Sequence, residues 1–378
     1  MFPFEFAPAT IFYLFLYGAT LVLHVLPMNY VLAGSTYLAA VGIWETVRGP
    51  ALSQRPLVET LRDWMPFVLG VTITAAVAPL LFLQILYQRP FYTANLLLFH
   101  RWMAILPVLI VAFYLLYLQK SKGWHKFAAW IRAGISTGIL ACFAFVAWSW
   151  TENHLLSTRP LEVWTKVYAS NDWFYRDPEL MPRLAVWYVG AFPVLAAALL
   201  WQLWSVGLFG KCVPITIGDS SAPERPPMAA TLQSLCLLAY AGLIGSVAVG
   251  LGYFLFLDAT IRERLVSSRA WPYLAVAVVG LAGQAWLWRH VQKSGCVCGG
   301  TIASLAAAIG MAVSAATGLR EMRRTATVDL AAYLAQHTEA SKIGGVGTFL
   351  VFAVITFSGI TAVVIAVRRG LAAGKSQA

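Results

Sequence analysis

Residues 23–47 read LHVLPMNYVLAGSTYLAAVGIWETV. Within them His24 is the sole basic side chain and Glu45 the sole acid; the rest is apolar, aromatic or small and uncharged. The stretch belongs to a run from about Pro8 to Ile43, longer than the ~20 residues that cross a bilayer as a helix. Pro27 predicts a kink or a break, so the run is one long helix or a helix plus a re-entrant piece. The opening MFPFEF lacks the basic segment of a secretory signal, and the run is too long for a signal core, so it is expected to stay as a membrane helix.

The rest of the chain repeats this pattern. Of 378 residues 60% are hydrophobic and 11% charged, and the mean hydropathy is +0.71. A soluble domain carries about 25% charged residues, so too few are present here to cover a water-facing surface. Aromatic residues at 13% exclude disorder, and near-continuous rather than alternating apolar runs argue against a membrane β-barrel. We expect an all-α polytopic bundle of about nine transmembrane helices, a single integral membrane domain over residues 1–378. The further runs lie near Trp64–Tyr87, Ala94–Leu118, Phe127–Trp150, Leu184–Leu208, Leu232–Leu257, Pro272–Arg289, Ile302–Ala316 and Val346–Val367. The eighth is short and rich in Ala and Gly, a composition that predicts close packing inside the bundle.

The net charge of +11 comes from 27 Lys and Arg against 16 Asp and Glu. No basic run is interleaved with aromatics in the manner of a nucleic-acid surface, so the excess is read as basic loops facing the cytoplasm. Alternating connections hold 14 and 13 basic residues, and the short loop Lys120–Arg132 decides the orientation: N-terminus outside, in the cytoplasmic membrane. Residues 151–183 and 318–345 become outside connections. Trp164, Tyr168, Trp173 and Tyr175 predict an interfacial helix around Leu161–Ser170, and Thr327–Ala335 another short surface helix.

Chemistry is sparse. Cys142, Cys212 and Cys236 are scattered, and Cys296-Val297-Cys298 lacks the second pair that completes a metal site. No C-x-x-C-H or H-E-x-x-H occurs, and no acid lies inside the runs to support a proton or cation path. Pro27, Pro79, Pro107 and Pro193 interrupt four runs without a matching half, so a transporter is the weaker reading. Of six histidines, His24 and His100 lie in apolar runs, where an imidazole is a haem-ligand candidate. Met28 follows His24 by one turn, on the same face. His100 sits ~9 Å into its run at 1.5 Å per residue, and Arg101 beside it is placed to meet an acid near the membrane surface, a haem propionate for example. The competing reading is an imidazole that only hydrogen-bonds a neighbouring helix. His154 lies in an outside connection.

The order of these elements resembles subunit I of cytochrome bd-type quinol oxidases, along most of the chain. LHVLPMNYVLAGSTYLAAVGIWETV looks like that family's first helix, whose His ligates a high-spin haem and matches His24. GVTITAAVAPLLFLQILYQRPFYTANLLLFHRW (70–102) resembles the family's second-helix run, WSWTENHLLSTRP (148–160) the end of its fourth helix, and SAATGLREMRRTATVDLAAYLAQ (314–336) the stretch around its G-R-Q-P-W motif. The resemblance implies nine spans, haem b or a related b-type or d-type haem near the outer face, and a second membrane subunit in a hetero-oligomer. Arg101, Arg320, Arg323 and Arg324 become candidates to neutralise propionates, and His154 joins the cofactor-binding candidates.

The departures are equally specific. Within RDPELMPRLAVWYVGAFPV (176–194) the family's low-spin haem His is replaced at Val186 or Trp187. The quinol-binding loop shrinks to about Asp258–Trp271, the acidic haem ligand becomes Ala316 or Thr317, and the acid after the second-helix run gives way to Pro79–Leu81. The expectation is therefore a divergent bd-like subunit that exchanges electrons with a periplasmic cytochrome c or another redox subunit rather than quinol. The alternative is a haem-free bd-like scaffold.

Overall fold

A segment that crosses a bilayer must satisfy every backbone N–H and C=O within itself, and the apolar runs do so as helices. The computed structural model describes residues 8–49, 55–170, 175–207, 226–295 and 297–327, with scattered helical positions between 335 and 365. It contains α1 (Pro8–Arg48), α2 (Arg55–Leu86), α3 (Gln88–Leu97), α4 (Phe99–Lys120), α5 (Ala129–Leu156), α6 (Leu161–Ser170), α7 (Leu180–Ser205), α8 (Pro226–Phe256), α9 (Ala259–Leu265), α10 (Trp271–Ser294) and α11 (Gly299–Thr325). No strand occurs among the described residues. The chain divides into two units: Phe15–Val328, which holds the helix bundle, and Met1–Leu14 with Asp329–Ala378.

Eight helices among the described residues are long and apolar enough to cross a membrane. The ninth expected span, Val346–Val367, and the short helix expected at Thr327–Ala335 fall largely outside the described residues. Pro27 breaks nothing: α1 is a single helix of 41 residues. The run expected at Ala94–Leu118 is instead two helices, α3 and α4, parted at Leu98. α11 is longer than its apolar core suggested, with 27 residues, because its last turns carry charges that find partners. A helix occupies Leu161–Ser170, the bounds expected.

Consecutive long helices joined by short connections, α4 with α5 and α10 with α11, run antiparallel. The closest pairs are α7 with α8, α10 with α11, and α4 with α5. Their shared core gathers Tyr30 from α1, Leu57, Leu61 and Met65 from α2, Leu195 and Leu199 from α7, Leu235 from α8, Trp288 from α10 and Leu305 from α11. The α10–α11 contact depends on Gly280, where a Cβ would stand 2.8 Å from both Ala308 O and Ala312 N. Those are backbone atoms and cannot swing aside. α11 therefore uses its small residues for close approach on one face, as expected, but it does not lie inside the bundle. Ala303, Ala306 and Ala307 on its other side are exposed.

The outer surface is apolar. Leu237 and Ile244 on α8 expose 70% and 71% of their area and Val278 on α10 65%, with many similar side chains around the bundle. A contiguous apolar surface of this extent is not stable in water. With the eight long helices it identifies a multi-pass membrane protein. At the tight crossing, Gly280→Ala should cost about 1–3 kcal/mol in detergent unfolding through overpacking. Gly138→Ala, with nothing within 4 Å of the new methyl, should be neutral or slightly stabilising.

Candidate functional site

The C-terminal ends of α2, α5, α8 and α11 lie at the same end of the bundle as the N-terminal ends of α4 and α7. The charged residues of these ends converge there. On α11 the spacing of Arg320, Arg323 and Arg324 puts three guanidinium groups on one face of the last two turns. Arg323 donates to Glu179 Oε1 and, at 3.3 Å, to Thr158 Oγ1. Arg320 donates to Tyr17 Oη on α1 at 2.9 Å. Arg324 lies 4.1 Å over the Tyr87 ring, and the Tyr87 hydroxyl donates to Glu321 Oε2 at 2.9 Å. Glu321 is also the single carboxylate near both Arg320 and Arg324, at 3.5 and 3.6 Å.

A second layer joins the connection before α7. Arg159 grips Asp177 with two hydrogen bonds of 2.8 and 2.9 Å and reaches Glu179 at 3.0 Å. Tyr175 donates to Asp177 at 2.9 Å, and Tyr253 on α8 donates to Glu179 at 3.1 Å. On the flank Arg101 of α4 pairs with Glu152 of α5, which is fully buried, and Asn153 Nδ2 donates to Asn95 Oδ1 on α3 at 2.6 Å. Among the described residues six arginines and four carboxylates thus gather at this end. Arg320 and Arg324 share Glu321. Arg183 on α7, 4% exposed, makes no hydrogen bond or ion pair among the described residues.

The two most buried expected histidines differ in what they offer. His154, 3% exposed in the last turn of α5, receives a hydrogen bond from Arg324 Nη2 at 2.7 Å on Nδ1, with Arg320 Nη2 at 3.4 Å. A guanidinium only donates, so Nδ1 holds the lone pair and the proton of the neutral ring sits on Nε2. His24 is the reverse. Its Nδ1 lies 3.1 Å from the carbonyl oxygen of Thr72 on α2, which only accepts, so Nδ1 carries the proton and Nε2 holds the lone pair. Met28 is half-buried on the next turn of α1. His100 is exposed at the start of α4, edge-on to Phe99 with ring centres 5.7 Å apart. The structure brings His154, Arg320, Arg323 and Arg324 together; it sets His24 against α2 and His100 at the surface. The acidic group that Arg101 meets is Glu152 of the protein itself.

Beside the arginines lies a cavity of about 540 Å³ walled by α7, α8, α10 and α11. Arg183, Arg320 and Arg323 stand at its polar end. Val186 and Trp187 line it, and among the described residues no His, Met or Cys does. Tyr253 is the one lining side chain able to ligate iron, and its hydroxyl is engaged by Glu179. Haem therefore does not fit this cavity's donor set. Among the described residues no group of three His, Cys, Asp or Glu could hold a metal ion, and Cys296 lies outside those described.

Sequence reasoning missed Glu152, Asp177, Glu179, Arg159, Arg183, Tyr87 and Tyr253. Glu152 fell two residues past the expected end of its span, whereas α5 continues to Leu156 and takes the acid into the helix. The signal was present: Arg101 and Glu152 lie at the adjoining ends of consecutive antiparallel helices, and opposite charges there are placed to pair.

Burial alone would push the Asp177 carboxyl up, but the Arg159 hydrogen bonds and the Glu179 backbone N–H at 2.9 Å hold it below its ordinary range. Its stabilising share is present above the unfolded value of about 3.9 and is lost as pH falls towards the lower folded value. The melting temperature in detergent should thus fall more steeply below pH ~4 in the wild type than in Asp177→Asn. At neutral pH, Glu179→Ala leaves Arg323 buried without its carboxylate and should cost about 3–5 kcal/mol, read by thermal unfolding of the full chain.

No family model matches the sequence, and no curated protein is similar to it.

Proposed function

We propose that the chain is a bd-like membrane subunit of a respiratory electron-transfer complex, an oxidoreductase component carrying b-type haem near the outer face. It lies in the cytoplasmic membrane with its N-terminus outside. Its redox partner is a periplasmic cytochrome c or a partner redox subunit rather than quinol. The observation that carries the reading is His24. A haem-ligating imidazole is held by a hydrogen bond on its other nitrogen, and Thr72 O holds Nδ1 in this way, leaving Nε2 to the metal. When bound there, haem supplies one-electron transfer at its iron.

Other residues support the same site. Tyr17 precedes His24 by seven residues, two turns of α1, so the two share a face ~10 Å apart. Arg320 donates to Tyr17 Oη, so a guanidinium that only half owns a carboxylate stands above the iron-ligand candidate. The pair Arg320 and Arg324 suits a propionate. Quinol is disfavoured by the α8–α10 connection, which holds only the seven-residue α9 and short turns.

A second reading has its own observation. Arg101, Arg159 and Arg323 are already matched by Glu152, Asp177 and Glu179, an arrangement that fits a haem-free bd-like anchor for a larger complex. A dithionite-reduced minus oxidised spectrum of the purified full chain separates the two. Haem b gives an α-band, and His24→Ala should lower haem content roughly tenfold or more, beyond any loss in His100→Ala at its exposed position. A folded chain without Soret absorbance leaves the anchor.

A further inference from the structure

The cavity beside the arginines carries two buried polar atoms without partners, one at the arginine end and one deep among the helices, and the cationic one decides the kind of guest. Arg183 Nη1 and Asn29 Oδ1 both belong to lining residues, and each is buried without a hydrogen bond. Arg183 is a permanent cation, so leaving it bare among apolar walls costs several kcal/mol unless an anion meets it. Nearby Arg323 and Arg320 add positive potential at the same end. The wall beyond is mostly apolar, with Trp187, Pro193, Phe254, Leu274 and Leu281 along it and Asn29, Ser246 and Gln284 as its polar members, and at about 540 Å³ the space has the size of pockets that enclose one small molecule. Half-buried Trp187, Phe254 and Leu274 show that the cavity is open rather than sealed. The helices that frame it, α8 and α10, carry exposed Leu251 and Val278, apolar surface of the kind that faces lipid.

We propose that this cavity holds an anionic phospholipid from the bilayer, its phosphate against Arg183 and one acyl chain along the Trp187–Leu281 wall. A zwitterionic lipid brings the same phosphate but adds a quaternary ammonium, which Arg320 and Arg323 beside Arg183 repel, so an anionic head is preferred. The absence of a lining His, Met or Cys separates this guest from haem. The site goes beyond the haem reading and does not depend on it. Haem content follows His24, on α1, whereas lipid retention follows Arg183, on α7.

The test is native mass spectrometry of the full chain, delipidated in detergent and exposed to equal amounts of phosphatidylglycerol, phosphatidylcholine and palmitate. Wild type should retain one phosphatidylglycerol with roughly tenfold preference over phosphatidylcholine, about 1.4 kcal/mol. Arg183→Lys should keep most of that preference, and Arg183→Gln should bring it to parity. Leu274→Trp, which fills the cavity without touching a charge, should abolish retention; it decides the matter should Arg183→Gln fail to fold. Equal retention of the two phospholipids by wild type overturns the proposal. So does palmitate held in place of phosphatidylglycerol, or a Leu274→Trp variant that binds phosphatidylglycerol as wild type does.

Discussion

Guanidinium groups cannot stand bare in an apolar environment, and the end of α11 brings three of them into one. That constraint organises the surrounding structure. Arg323 requires Glu179, and Glu179 is held in place by Arg159 and Tyr253, so the connection before α7 is drawn onto the bundle. Arg324 requires the Tyr87 face and His154, which fixes the end of α2 and the last turn of α5. Arg320 ties in α1 through Tyr17. A single helix terminus thereby couples five separated stretches of chain, in a protein whose other contacts are mostly non-directional packing. Lipid tails are as apolar as leucine, so burial alone gives little preference for one helix arrangement over another. The polar end supplies the register.

The helical class and most spans were legible in the sequence because hydropathy and length speak directly to them. LHVLPMNYVLAGSTYLAAVGIWETV reads as a membrane helix whatever surrounds it, and α1 is one. Helix ends were less legible. α5 and α11 both run past their apolar cores, to Leu156 and Thr325, because Glu152, His154 and Arg320–Arg324 find partners on other helices. Hydropathy scores such residues as the beginning of a loop; only tertiary pairing tells that they remain in the helix. Arg183 was illegible for the same reason: beside Met181 and Pro182 it reads as a headgroup-facing cation, and nothing local says that it turns into a cavity.

The histidines show how little residue type alone decides. His24 and His154 were both candidates for the same chemistry, yet the atoms that touch their Nδ1 positions assign opposite roles. A carbonyl oxygen accepts and so fixes the proton at Nδ1 of His24; a guanidinium donates and so fixes the lone pair at Nδ1 of His154. The sequence carries neither fact, since Thr72 lies 48 residues from His24 and Arg324 lies 170 from His154.

His154 also explains why the cluster keeps its excess charge. A residue placed against two arginines is expected to be an acid, and an acid there would neutralise one of them. A neutral imidazole satisfies Arg324 as an acceptor while contributing no charge, so it fixes geometry and leaves the positive potential intact. Together with Glu321 shared by Arg320 and Arg324, and with Arg183 unmatched among the described residues, this leaves cations in excess of acids among the described residues there. Such an excess is costly in a low-dielectric setting, and four acids built into the same network show that the fold is able to supply carboxylates there. An acidic group from outside the chain balances it. That is the common requirement behind both proposals, a propionate near Tyr17 and a phosphate at Arg183, and it is why they call on different arginines.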